Sequence, residues 1–163
     1  MRLVAQDGSV LDALAQPRDS FSQMPPGTPW SALQLAYFVG YAMWMYLTLP
    51  FSLLTHRVAC EEVAPWSEDG QTWRVLKAVF PPAYVTHSVE QALYFDAQGL
   101  LRRHDYTADV SGSVRVAHYL EGHRYVAGIP FATRRRVYLR GADHTPNKST
   151  LIIAADLDHF ELV

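Results

Sequence analysis

Two hydrophobic rhythms divide the chain. Residues 20–55 carry no charge, and the stretch 32–54 (ALQLAYFVGYAMWMYLTLPFSLL) is apolar almost all round. From residue 57 onward, short alternating runs are separated by Gly, Pro and Asp turn signals. The first rhythm predicts one long helix and the second an antiparallel meander. Thr28 and Pro29 offer a cap and a first helical residue, and Pro50 stops the pattern near Leu49, so the helix is expected over residues 30–49.

An apolar span of about 20 residues is long enough for a bilayer. Here Gln34, Tyr41 and Thr48 draw a polar line along it at intervals of seven. Tyr41 and Trp44 fall mid-span rather than at an interface, and no Lys or Arg cluster flanks the run. No stable membrane insertion is therefore expected, and the helix belongs in a protein core.

Residues 1–29 form a lead-in with a short strand pair turning at Asp7-Gly8. Strands are expected over 57–63, 72–80, 87–96, 100–110, 114–120, 123–126, 133–140 and 150–163. In the run TWRVLKAVF, apolar side chains fall on both faces, which marks an interior strand. Asp96-Ala97-Gln98-Gly99 reads as a turn with Gly99 left-handed. Together these elements predict a single α+β domain over 1–163. Its strongly curved antiparallel sheet, an incomplete barrel, wraps around one long apolar helix and encloses it on most sides.

The chain has 163 residues, 49% of them hydrophobic and 18% charged, enough for one globular core. A net charge of −2 gives no general attraction to nucleic acid. The lone Cys60 allows no intramolecular disulfide and fits a reducing compartment. The first residues, MRLVAQDGSV, contain no apolar signal segment, so a cytoplasmic location is expected.

Seven histidines are present, and His87, His104, His118 and His123 fall in or near strands. None shows metal-ligand spacing, so no metal and no cofactor is expected. In the run Arg102-Arg103-His104-Asp105-Tyr106, alternation puts Arg103 and Asp105 on one face, as a surface ion pair or as part of an anion site. In Thr133-Arg134-Arg135-Arg136-Val137, Arg135 shares the apolar face and needs a partner. Asp105, Asp109, Glu90 or an anionic ligand could serve. No phosphate loop, G-x-S-x-G elbow or C-x-x-C is present.

Aromatic residues carry the remaining signal. Tyr37, Tyr41 and Trp44 from the helix, with Tyr94, Tyr106, His104 and Arg135 from the sheet, are expected to line a cleft for an apolar or amphipathic small molecule. The protein would then be a non-catalytic binder. One alternative is an enzyme with His104 or His118 as base and Arg135 or Arg136 stabilising an anion. Another is a self-associating structural domain, such as a homodimer.

The segments AYFVGYAMWMYLTLPF, EDGQTWRVLKAVFP, THSVEQALYFDAQGLLRRHDY and TRRRVYLR resemble an uncharacterised family of bacterial hypothetical proteins, from about Asp19 to the end. That family implies a fold and no particular reaction. The order of a helix ending in Leu-Pro-Phe, a Trp-bearing strand and a YFDAQGL hairpin is also similar to the lipoprotein-carrier (LolA-like) fold. This second resemblance implies an incomplete barrel around a helix, holding an apolar ligand.

Overall fold

The computed structural model describes residues 1–22, 24–25, 27–54 and 57–160. Parts of the 1–29 lead-in and of the expected 150–163 strand lie outside these residues. Strands β1 (Arg2–Val4) and β2 (Val10–Ala13) pair around Asp7-Gly8 as the alternation anticipates, in a small exposed sheet of their own.

The apolar run forms helix α1 (Ala32–Thr48). Its cap is Ser31, not Thr28. The Ser31 hydroxyl accepts from the Gln34 N–H, and the Gln34 side chain accepts from the Ser31 N–H at 2.8 Å. This reciprocal pairing satisfies two N-terminal groups at once, which Thr28 cannot do because the residue three positions on is Ser31 and not Glu or Gln. At the other end Leu49 closes the helix onto the Met45 carbonyl, and Pro50 prevents continuation. Among the described residues no helix is long and apolar enough to cross a membrane.

Seven strands follow: β3 (Ala59–Glu68), β4 (Gln71–Val79), β5 (Glu90–Phe95), β6 (Leu101–Ala108), β7 (Val114–Val126), β8 (Ile129–Arg140) and β9 (Pro146–Asp156). They lie side by side in chain order, all antiparallel. Asp69-Gly70 and Ala127-Gly128 make two-residue turns with both residues at positive φ, the turn whose twist suits a hairpin. Gly122, expected to separate two strands, instead lies inside β7. Its φ of +63° and an added Cβ only 2.7 Å from Thr133 Oγ1 show why glycine stands there. The strand bends at that point without ending.

The sheet is not a barrel. β3 and β9 each pair with a single neighbour, so the sheet is open, and it is not strongly curled. Nor is α1 enclosed. It covers one face, burying Leu33, Tyr41, Ala42, Met45 and Tyr46, while Leu35, Val39, Trp44 and Leu47 remain 40–52% exposed. The physical reason lies in the strands. Those with apolar residues on both faces need two layers, and α1 supplies one. On its side Met45 packs with Ala78, Phe80, Leu93 and Leu120. On the far side Trp73, Val75, Tyr94, Ala117 and Tyr119 form a second core with Trp66 and Tyr138. The tips of the β3–β4 and β8–β9 hairpins help to close that second core. They meet where Lys148 Nζ lies 2.7 Å from both Glu68 and Asp69.

Candidate functional site

Under α1 the sheet presents an unusual set of side chains. Arg135 is buried, as the sequence suggested, but among the described residues no carboxylate pairs with it. Its guanidinium donates to the Tyr46 carbonyl in the last turn of α1 and sits 4.5 Å over the Tyr46 ring. The negative end of the helix dipole and the ring face replace the expected acid. Burial pulls the Arg135 guanidinium down to about 10. Beside it, His87 stacks on Tyr106 with ring centroids 3.9 Å apart, and Tyr46 packs on His118 at 4.7 Å. His104 Nε2 meets Gln91 Oε1 at 2.6 Å. His87 and His118 are fully buried, and among the described residues neither ring nitrogen of either has a hydrogen-bond partner. Burial, with the charge of Arg18, brings His87 down to about 3, and burial also lowers His104 and His118. These rings are neutral core residues.

A cavity with a mainly apolar wall opens along the C-terminal half of α1. It is a groove of about 710 Å³ between Trp44, Leu47 and Phe51 on one side and Phe131, Leu157 and Phe160 on the other. Phe131 and Phe160 stack at 4.9 Å. Trp44 is half-exposed at its edge, with its indole N–H donating to the Tyr84 hydroxyl at 3.1 Å. Asp156 and Asp158 supply the acidic part of the lining, and Asp156 is paired with Arg136 at 2.8 Å.

The structure does not gather the expected cleft residues. Trp44 lines the groove. Arg135 borders a smaller cavity of about 120 Å³ beneath the helix end. Tyr37 belongs to an aromatic cluster with Phe21 and Tyr41. Tyr41, His104 and Tyr106 are packed into the helix–sheet core, and burial raises the Tyr41 and Tyr106 hydroxyls. Tyr94 faces the second core, across the sheet from α1. Arg136 points to the side opposite His104 and His118 by strand alternation, so that proposed base–anion pairing is not assembled.

Arg103 and Asp105 do share a face, but they are not a surface pair. Both are at most 1% exposed. The guanidinium forks onto Asp105 at 2.7 and 2.9 Å, and its other arm reaches Glu68 at 2.8 Å. Tyr94 and Trp66 stack against it at 4.7 and 5.1 Å. Burial pushes Glu68 up, but bonds from Lys148, Tyr119 and Trp66 and the Arg103 charge outweigh this and hold it at about 2.

Sequence reasoning missed Phe131, Leu157 and Phe160. The apolar ends of the segments GIPF and DLDHF were the available signal, but Phe131 stands at the start of β8 and Leu157 and Phe160 follow the end of β9, where the alternation is too short to read. Compared with known protein families, curated proteins and solved structures, the chain matches none.

Proposed function

We propose that the protein binds an apolar or amphipathic small molecule in the groove between α1 and the start of β8, without chemical change to it. The observation that carries this reading is a cavity of about 710 Å³ whose walls include Trp44, Leu47, Phe51, Phe131 and Phe160. Apolar walls with a few polar groups at one edge are the usual form of such sites. The acidic lining favours a ligand whose polar end is neutral or cationic. Neither His104 nor His118 borders the groove. The exposed thiol of Cys60 suits a reducing compartment, and the cytoplasm is the location this proposal takes.

The test is Nile red, a neutral apolar dye, titrated with fluorescence detection. Leu47→Asp and Phe131→Asp should each weaken binding at least tenfold. Equal binding by the wild type and both variants would remove the groove from consideration. Native mass spectrometry of protein purified without detergent reads the same question directly. A monomer carrying an extra small mass supports the proposal. A bare dimer favours self-association across the exposed face of α1, and a bare monomer counts against both.

A further inference from the structure

The side of the sheet away from α1 holds a second cavity, of about 320 Å³. Val75 and Ala92 form part of its apolar wall, and Trp66, Tyr94, Arg140 and His144 surround Asp105 at one end. The Asp105 carboxylate is the hub. Its Oδ2 accepts from the Tyr94 hydroxyl at 3.0 Å and lies 3.1 Å from Arg140 Nε and 3.2 Å from His144 Nδ1.

His144 is fixed from both ends. Its ring contacts Asp105 and packs edge-on to Trp66, while its carbonyl accepts from Arg103 at 2.5 Å. It stands at φ +65° in the turn closed by the Gly141 N–H onto the Thr145 carbonyl. A carboxylate between two guanidinium groups only accepts, so Nδ1 carries the imidazole proton and the lone pair is on Nε2. Nε2 has no partner among the described residues. Arg140 spends Nε and Nη1 on Asp105, the Val116 carbonyl and the Gly141 carbonyl, which leaves Nη2.

We infer that His144, oriented by Asp105, is a general base over this cavity, with Arg140 as anion stabiliser, and that the site hydrolyses small uncharged carboxylic esters. The cavity wall determines each part of that assignment. Among the described residues no Ser, Thr or Cys lines it, so water is the nucleophile. Lys77 and Glu90, the charged residues at its other end, pair with each other at 2.7 Å, so nothing there calls for a charged substrate. The guanidinium beside the base suits an oxygen that gains negative charge.

In the first step Nε2 takes a proton from water as the water oxygen bonds to the carbonyl carbon. The carbonyl π pair moves onto its oxygen, next to Arg140. In the second step that pair re-forms the double bond. The ester C–O bond breaks, and the departing alkoxide takes the proton back from Nε2. The acid product gives its own proton to solvent. Asp105 is a positioning residue throughout.

The experiment uses the full chain with p-nitrophenyl acetate as probe. The wild type should turn over many equivalents, at least tenfold faster than an equal concentration of free imidazole. His144→Gln, whose amide can still donate to Asp105, should fall to that background while keeping its circular dichroism spectrum. Imidazole ¹⁵N shifts should show the Nδ1–H tautomer at His144, a signature that reports on Asp105. A wild type no faster than imidazole, a fully active His144→Gln or the opposite tautomer would each overturn the inference. Nile red binding in the groove is read separately, so its loss or survival leaves the outcome of the hydrolysis test unaffected.

Discussion

Pro50 has no N–H to give the Tyr46 carbonyl, its partner in an unbroken helix, and Arg135 gives one instead. A cation buried without a carboxylate thus has a specific task, to complete the last turn of α1. Arg135→Leu should leave that carbonyl unpaired and lower stability by about 1–3 kcal/mol, measured by urea unfolding. The histidines below make stability depend on pH. An unfolded imidazole ionises near 6.5, whereas burial and the Arg18 charge hold His87 at about 3. Between those values the unfolded chain takes up a proton that the folded one refuses. Stability is therefore full above about 6.5 and falls on acidification, by about 1.4 kcal/mol per pH unit for each such ring. Urea midpoints at pH 7, 5.5 and 4 should decline, and His87→Phe, which keeps a ring on Tyr106, should flatten the slope. The sequence showed that Arg135 needed a partner. It did not show which one, because the partner is a backbone atom 89 residues away and carries no side-chain signal.

At the scale of elements, the boundaries followed from local chemistry when the right local rule was applied. Ser31 and Gln34 stand at capping-box spacing, three residues apart, and that pairing overrides the Thr-Pro signal upstream. Ser31→Ala should lower the thermal midpoint, corresponding to about 1 kcal/mol. The hairpin turn at Asp96–Gly99 was readable because glycine at positive φ is a conformational requirement. Gly122 has the same conformation inside a strand, and only the approach of Thr133 distinguishes a bend from an end. That approach is a tertiary fact and is invisible in a linear pattern. The burial of Arg103 and Asp105 was hidden for the same reason. Alternation placed them on one face, but Trp66, Glu68 and His144, which cover them, come from distant hairpins.

At the scale of the molecule, the meander was legible and the wrapping was not. Short strands with regular turns determine neighbour order, and the order observed is that of the chain. Curvature depends on what covers the second face, and here a second core with a polar centre takes the place expected of a closing barrel. Of the residues expected to line a cleft beside the helix, only Trp44 borders the groove along α1. One consequence concerns how the chain is made. Synthesis runs from the N-terminus, so α1 leaves the ribosome well before β8. The 89 residues between Tyr46 and Arg135 take roughly 5–20 s to translate. For that interval an uncharged, almost wholly apolar segment waits for the sheet that will cover its inner face. Apolar surface left uncovered during synthesis is prone to aggregate, so the later strands protect α1 as they close over it.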